Sequence, residues 1–438
     1  MCSTQCCLRF ENHGVRRTLT DYESVYTYSE LGQLLTVTMA RPGLGAGNAS
    51  TVTQTRTWTY NSNQQVQSVN HPESGTTSFT YNGDGSLLQK TDAKGQRTKP
   101  EYDGDGRVTA TRRYANASDS SEDLCGKVSV YYNSQSFDGS FTQNATGRVA
   151  ATATGCENSG AGKLIEMYSY NAAGAVTKKR LRIVRTVVTV DKDVTYSYGT
   201  DGKLATVLYP GAATPYTYTY NLLEQPTKMT GPVTYSAGTA KDVVKDVAYN
   251  FAGQVTSMKY LRWQDSNDNG APYYFTETKT YNYLQQMASQ KTTASSGATA
   301  VEIEYNFHAT QNNGRITSRK NVVSGEEVVY SYDALNRLIK AAVAGSGGWG
   351  QAFTYDGFGN LREQDATKGV APDVILSVAM ATNRINNSYW AYDNNGNTSS
   401  MPLTGGGAAQ VIEMYSYTAA GAVAKKRMRI IQWGGNGG

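Results

Sequence analysis

Aromatic and polar residues alternate in short segments along most of this chain. Tyr216, Tyr218 and Tyr220 are separated by single threonines, and similar pairs of aromatic residues recur elsewhere. Residues two apart share one face of a strand, so the pattern predicts strands with an aromatic face and a hydroxyl-bearing face. Aromatic and β-branched residues also suit a pleated, half-buried surface. No segment has the 3.6-residue period of a long amphipathic helix.

Each predicted strand runs into the same short phrase: tyrosine, Asp or Asn, two variable residues, glycine, a polar residue and an aliphatic residue. The copy at 102–108 reads Tyr-Asp-Gly-Asp-Gly-Arg-Val. The carboxylate of Asp103 can accept a bond from the backbone two residues on, and Gly106 supplies the left-handed φ that closes the turn. Asn336, which replaces glycine in one copy, tolerates the same region. The phrase therefore predicts a β-hairpin with a turn of about four residues.

The phrase recurs often enough to define a repeat architecture. Two successive steps between its tyrosines are 21 residues long, and longer steps imply insertions between the units. The tyrosine falls at Tyr28, Tyr60, Tyr81, Tyr102, Tyr170, Tyr198, Tyr220, Tyr249, Tyr332, Tyr355, Tyr392 and Tyr417, with degenerate copies near Tyr132, Tyr281 and Tyr305. The positions predicted to be structural are Tyr81, Gly85, Tyr102, Asp103, Gly106, Tyr170, Gly174, Tyr198, Gly202, Tyr332, Asp333, Tyr355, Asp356, Gly359, Tyr392, Asp393, Gly396, Tyr417 and Gly421.

One hairpin cannot bury its aromatic face alone, whereas stacked hairpins form a continuous sheet with ladders of tyrosines. We therefore predict an all-β fold: an array of antiparallel hairpins forming one curved or spiralling sheet. The predicted organisation is an N-terminal tail over 1–20, the array over 21–433 and a glycine-rich tail over 434–438. With about fifteen hairpins, the array is expected to be short for closing a shell by itself.

Composition agrees with a thin sheet, because only 39% of the 438 residues are apolar and 44 are glycine. The net charge of +5 is mild and does not indicate a nucleic-acid partner. No signal peptide is visible, and no apolar run is long enough to span a bilayer. Five cysteines are too few for a disulfide scaffold. Cys2, Cys6 and Cys7 lie together, far from Cys125 and Cys156, and free thiols explain them better than a metal site.

Two kinds of local cluster suggest candidate binding sites. Asp265, Asn267 and Asn269 match the first half of a calcium loop, but Thr276 stands where that loop needs glutamate, so a polar turn is the simpler interpretation. Basic residues concentrate at 178–185 and at 425–429. Alternating Arg and aliphatic residues are typical of a half-exposed strand; binding of nucleic acid or an anionic glycan is the alternative. His13, His71 and His308 are scattered and form no metal or catalytic motif.

The repeated phrase resembles the YD repeat of the RHS family, bacterial relatives of the animal teneurins. Tyr102–Val108, Tyr332–Leu338 and Tyr355–Leu361 carry the resemblance most clearly, and it extends over about 21–433. The resemblance implies a sheet that spirals into a hollow shell, which in bacterial members encloses a C-terminal toxin domain of polymorphic toxin systems or toxin complexes. The chain departs from the family in showing no Asp-Pro autocleavage signature, no toxin-like domain and no N-terminal delivery domain.

These observations lead to a first hypothesis and two rivals. The first is a non-enzymatic shell segment without a cofactor, secreted or cell-surface delivered from a bacterium. Its partner would be a C-terminal toxin domain or another RHS-shell polypeptide. The second is a glycan or cell-surface binding module in which Trp58, Trp263 and Trp390 stack on sugars. The third, a hydrolase or autoprotease, has no supporting constellation of residues.

Overall fold

A computed structural model describes residues 6–7, 24–42, 51–133, 138–156, 162–185, 188–232, 240–262, 273–402, 409–417 and 423–432. These residues are almost entirely strands and turns, which confirms the predicted all-β fold. The one helical segment among them is a single 3-10 turn, Asp119–Ser121. No helix in the described part of the chain is long and apolar enough to cross a membrane.

The strands are short and follow one another closely. The first seventeen are β1 Cys6–Cys7, β2 Ser24–Tyr28, β3 Leu34–Pro42, β4 Thr51–Tyr60, β5 Val66–His71, β6 Gly75–Tyr81, β7 Leu87–Thr91, β8 Arg97–Tyr102, β9 Val108–Tyr114, β10 Val128–Tyr132, β11 Val149–Cys156, β12 Gly162–Tyr170, β13 Val176–Arg185, β14 Val188–Tyr198, β15 Leu204–Leu208, β16 Tyr216–Tyr220 and β17 Pro226–Pro232.

The remaining strands continue in the same manner. They are β18 Ala240–Tyr249, β19 Val255–Leu261, β20 Tyr274–Tyr281, β21 Met287–Ala294, β22 Thr299–Phe307, β23 Ile316–Asn321, β24 Glu327–Tyr332, β25 Leu338–Val343, β26 Gly350–Tyr355, β27 Leu361–Lys368, β28 Val374–Ile375, β29 Val378–Ala379, β30 Arg384–Ile385, β31 Ala391–Tyr392, β32 Thr398–Pro402, β33 Ala409–Tyr417 and β34 Val423–Gln432.

Strands β1 to β28 form one sheet in which each strand pairs antiparallel with the next along the chain. Strands β29 and β30 form a small ribbon, and β31 to β34 form a four-stranded sheet. Consecutive pairing keeps most contacts local, as expected for stacked hairpins. The sheet is therefore a long strip in which the strands run across the width and the hairpins follow one another along the length.

The strip has two edges of different character. We call the edge formed by the repeated phrases the turn edge; its turns include 29–33, 61–65, 82–86, 103–107, 221–225, 250–254, 282–286, 333–337 and 356–360. The turn at 393–397 of the four-stranded sheet continues this edge. The opposite edge, where one hairpin joins the next, is the connection edge and includes 72–74, 92–96, 115–127, 209–215 and 322–326. In each hairpin the register slips by one residue at the repeat tyrosine, as at Tyr81, which faces Leu87 while Thr80 faces Gln89. The slip is a β-bulge that fits the extra turn residue.

The strip has little interior, because both faces of most hairpins are only half-covered. Among the described residues, one cluster of buried apolar side chains forms where the segment 138–148 packs on β11 and β12. Phe141 from that segment packs on Ala151, Ala153, Ile165 and Met167. Elsewhere in the described residues, the aromatic face is half-buried and the Thr/Ser face is largely exposed, as in β6. The predicted thin, two-faced sheet is therefore observed.

Candidate functional site

The repeat turn is held by its acidic residue. In the copy at 102–108 the Asp103 carboxylate accepts bonds from the backbone N–H groups of Asp105 at 3.0 Å and Arg107 at 2.9 Å. The N–H of Gly106 donates to the Asp103 carbonyl at 3.0 Å, and Gly106 has φ +76°. The predicted contact to the residue two along and the left-handed glycine are both confirmed. A single side chain thus organises both ends of the turn.

The turn residue with a left-handed φ, which is Gly106 in the copy at 102–108 and which we call the left-handed corner, is not always glycine. Asn336 occupies it with φ 65°, as the sequence predicted. Gln64, Glu224 and Gln285 also occupy it, with φ between 61° and 65°. Glutamine and glutamate have no preference for this region, so only their position within the repeated phrase could have identified these three residues.

The repeat tyrosines form a ladder of hydrogen bonds. Each phenol donates to the backbone carbonyl of the first residue of the preceding return strand; Tyr81 reaches Val66 at 2.8 Å and Tyr102 reaches Leu87 at 3.1 Å. The same bond is made by Tyr60, Tyr132, Tyr170, Tyr198, Tyr220, Tyr249, Tyr281, Tyr332 and Tyr355. The ladder joins each hairpin to its neighbour beyond the pairing of their strands.

Three of the described copies depart from this ladder. Tyr28, in the first copy, makes no such bond and is 47% exposed. The register places Phe307, rather than the nearby Tyr305, at the ladder position, so that hairpin has no phenol to donate. In the copy at Tyr392 the phenol oxygen instead accepts from the N–H of Ile385 at 3.1 Å. Of Tyr417 only the backbone is described, and it has the same register slip. Gly421 lies outside the described residues.

The residue after the left-handed corner ties one turn to the next. Arg337 binds its own Asp333 through Nε at 2.6 Å and donates to the carbonyl of Asp356 in the next turn at 3.2 Å. Its guanidinium lies 4.8 Å from the ring centroid of Tyr355, a cation–π contact. Arg107 similarly binds Asp103 and stacks over Tyr132. The arginine of the phrase therefore supports its own turn and the following tyrosine.

These contacts also set the protonation states of the turn residues. The hydrogen bond from Arg107 is the largest influence on the pKa of Asp103 and lowers it. For Asp333, burial raises the pKa, but bonds from Arg337 outweigh burial and the net shift is downward. Burial raises the pKa of the phenols of Tyr170 and Tyr332. At neutral pH the carboxylates are therefore charged acceptors and the tyrosines neutral donors, as the ladder requires.

The strip curls until its turn edge meets its own connection edge, and we call this junction the seam. Arg384 donates to the Glu73 carbonyl through Nε at 3.1 Å and Nη2 at 2.6 Å. Asn383 donates to the Glu73 carboxylate at 2.7 Å and accepts from Gln54 at 2.8 Å across 329 residues of sequence. Gln54 is almost completely buried. A buried amide satisfied from both sides indicates a built junction rather than an incidental contact.

The turn at 393–397 continues the seam. The Lys94 ammonium lies 3.1 Å from the Asp393 carboxylate, and the Asn395 amide donates to Asp92 at 2.6 Å. Burial raises the pKa of Asp393, but the bonds from Asn397 and Lys94 outweigh it and the net pKa is lowered. A Cβ at Gly396, which has φ +84°, would clash with the Glu73 carbonyl oxygen. Only glycine fits this close approach.

The seam joins residues near the start of the strip to the turn at 356–360, between β26 and β27, and to residues that follow β28. The turn edge of the later part lies on the connection edge of the earlier part, so the strip advances by its own width in one turn. The expectation that the array is too short to close by itself therefore needs refinement, because the strip completes one turn and contacts itself.

The basic residues at 178–185 form ion pairs with acidic residues of the neighbouring strands. Arg180 and Arg182 on β13 bind Asp193 and Asp191 on β14 at 2.7 and 2.8 Å. Lys179 lies 3.1 Å from Glu166 on β12. These pairs favour the interpretation as a solvated strand face over a nucleic-acid site. The side chains of the second cluster, at 425–429, lie outside the described residues.

The other candidate sites are placed as follows. Trp58 packs edge-on against His71 at 5.8 Å, and Trp390 stacks on Tyr392 at 6.4 Å. Both tryptophans are half-buried against neighbouring residues of their sheets. The proposed calcium residues Asp265, Asn267 and Asn269 lie outside the described residues, as does Trp263. Within the described part of the chain, no group of three or more His, Cys, Asp or Glu residues could hold a metal ion.

Cys125 and Cys156, for which the sequence predicted no pairing, form a disulfide. The bond links the connection between β9 and β10 to the end of β11, across 31 residues. The sequence could not predict this pair, because the two cysteines are distant in sequence and only the pairing of β10 with β11 brings Val128 opposite Thr154, beside both cysteines.

Comparison with known proteins gives matches among solved structures. No protein-family model and no curated protein matches. The crystal structure of TcdB2-TccC3-Cdc42 superposes with a TM-score of 0.63 at 14% identity, covering 94% of this chain and 24% of that one. The Tc holotoxin pore of Photorhabdus luminescens gives 0.63 at 14% identity, covering 92% and 23%. The chain thus spans about a quarter of the length of these structures. At this identity the likeness shows the fold alone, which is the antiparallel β-strip that the repeated phrase predicted.

Proposed function

We propose that this chain is a wall segment of an RHS-type shell, which encloses or scaffolds a partner polypeptide in a bacterial polymorphic toxin or toxin-complex system. The observation that carries the proposal is the seam: the strip curls through a full turn and bonds to itself from Gln54 to Asn383. The shared fold with the TcdB2-TccC3 structures supports it. A strip that closes laterally can bound a space, which an open sheet cannot.

The proposed role is structural rather than catalytic. The groups that recur in the repeat are committed to the wall: phenols to backbone carbonyls, carboxylates to turn amides, and arginines to both. A toxin domain is the proposed occupant or neighbour, and secretion or cell-surface delivery the proposed context.

Enclosure can be tested with a fused reporter. An unstructured, protease-sensitive segment would be attached after residue 438, and its cleavage rate compared with that of the free reporter. Enclosure predicts cleavage several-fold slower in the fusion. A matched variant, Arg384→Ala with Asp393→Ala, opens the seam and should return the rate towards that of the free reporter. Equal rates for the free reporter and the unmodified fusion would refute enclosure.

A second candidate function, glycan binding, has one favourable feature. A groove of about 370 Å³ lies beside β14, lined by Lys178, Asp193, Thr195 and Tyr209 among others. Tyr209 is half-exposed and rests edge-on against Tyr216 at 5.7 Å. An aromatic face beside polar groups suits a sugar ring. Glycan binding at this groove predicts a glycan-array signal for the unmodified chain that is lost in Tyr209→Ala. The absence of such a signal would refute this candidate.

A further inference from the structure

The turn edge carries apolar side chains that its own turns do not need. The third residue after the ladder position is Leu31, Leu223, Leu284, Leu335 or Phe358 in five copies, and a polar residue such as Asp105 in others. Because polar residues form the same turn, the apolar side chains are not there for turn geometry. Leu223 is 77% exposed, and Phe251 in the neighbouring position of the next turn is 95% exposed.

The seam shows what covers this position. Phe358 is the one of the five whose turn lies in the seam, where it is half-buried beneath the Arg41 guanidinium at 5.9 Å. A Cβ at Gly357 would lie 2.8 Å from the Arg41 Cβ and 3.2 Å from Pro42. The surface that covers an apolar turn in this fold is therefore the connection edge of another stretch of strip.

The exposed turns belong to the same continuous edge as the covered one. The turn at 333–337 is joined to that at 356–360 by the bond from Arg337 to the Asp356 carbonyl. The turns at 250–254 and 282–286 are joined by Gln254, which donates to the Gln285 carbonyl at 2.9 Å. The connection edge also carries exposed apolar residues, among them Tyr209 and Val323.

We propose that the open turn edge formed by 221–225, 250–254 and 282–286 binds the connection edge of a second copy of this chain. Every copy carries both edges, and the seam shows that the two edges fit one another. The contact is head-to-tail, so in a pair one copy keeps its connection edge free, the other keeps its turn edge free, and further copies can add. This proposal rests on the seam and not on enclosure, so it can fail while the proposed function holds.

The test is association in solution, followed by sedimentation velocity from low to high micromolar concentration. The unmodified chain should form dimers and larger species as concentration rises. Leu223→Glu with Leu284→Glu on the turn edge should remain monomeric. The control Leu88→Glu changes a strand residue with the same 46% exposure as Leu284 and should associate normally. Circular dichroism and melting curves check that each variant is folded.

The reciprocal variant distinguishes head-to-tail binding from other modes. Tyr209→Glu with Val323→Glu on the connection edge should also be monomeric alone. Mixed with the turn-edge variant it should form a one-to-one dimer, because the mixture contains one intact edge of each kind. A monomeric unmodified chain at all concentrations overturns the proposal. So does dissociation caused equally by Leu88→Glu, or a mixture that stays monomeric.

Discussion

The turn at Gly106 offers a direct test of the hairpin unit, through the substitution Gly106→Val. A Cβ added there meets no atom within 4 Å, so crowding contributes nothing and the cost is conformational. A left-handed φ costs an L-residue about 1–2 kcal/mol, and a β-branched residue stands at the high end. Valine also restricts the unfolded chain, which offsets about 0.4–1 kcal/mol. The expected net loss is therefore about 1 kcal/mol, which increases the population of the locally opened hairpin roughly fivefold.

Gly104 supplies a matched control in the same turn. It too has open space around its Cβ position, but its φ is not left-handed. Gly104→Val should therefore be neutral or slightly stabilising, since only the unfolded-state term remains. Gly106→Asn should fall between the two valine variants, because Asn336 already occupies the corresponding corner.

Hydrogen exchange is the appropriate assay, because one hairpin of a repeat array can open without global unfolding. The reporting amides are those of Asp103 and Gly106, which close the turn with 3.0 Å bonds. Their exchange should accelerate in Gly106→Val and not in Gly104→Val. Equal acceleration in both variants would show that side-chain bulk rather than φ sets the cost. No acceleration in either would refute the hairpin assignment.

Further predictions concern the ladder, the seam and the disulfide. Tyr81→Phe removes the bond to Val66 and should cost about 0.5–1.5 kcal/mol of local stability in hydrogen exchange, without loss of fold; a global collapse would contradict it. The pKa of Asp393 is lowered on folding, so its contribution is present above the unfolded pKa near 3.9 and is lost as pH falls through the folded value. Melting curves recorded on acidification should thus be less pH-dependent in Asp393→Asn. Reduction of the Cys125–Cys156 disulfide should cost about 2–4 kcal/mol and lower the melting temperature; full alkylation of both cysteines without reductant would contradict the bond.

The repeat unit was predictable from the sequence because its determinants lie within seven consecutive residues. The carboxylate, the left-handed corner and the tyrosine of a copy such as 102–108 act on their own backbone or the adjacent hairpin. The pairing of Arg180 and Arg182 with acidic residues also had a signal, since Asp191 and Asp193 alternate on the next strand at mirrored spacing. The antiparallel register alone is enough to predict these ion pairs from that spacing.

The seam could not be predicted in the same way. Gln54 and Asn383 are joined by the accumulated curvature of the strip between them, and no local pattern specifies how many hairpins complete one turn. Several residues that form the seam, such as Glu73, Lys94 and Asn395, also occupy variable positions of the turns and connections. The disulfide was missed for a related reason: the path of the chain from Tyr114 to Val128 leaves the regular repeat, so the position of Cys125 does not follow from the phrase.

The seam changes how stability should be distributed along the strip. In an open array each hairpin contacts only its neighbours, so the terminal hairpins have one neighbour fewer and open first. Bonds such as Arg384 to Glu73 give hairpins near the two ends a second set of contacts, although 311 residues separate them. The edges that meet are of opposite kind, so the strip must advance as a spiral, and a turn edge and a connection edge remain open beyond the seam. The same geometry that stabilises one turn therefore provides, at these open edges, the surface on which another turn can be added.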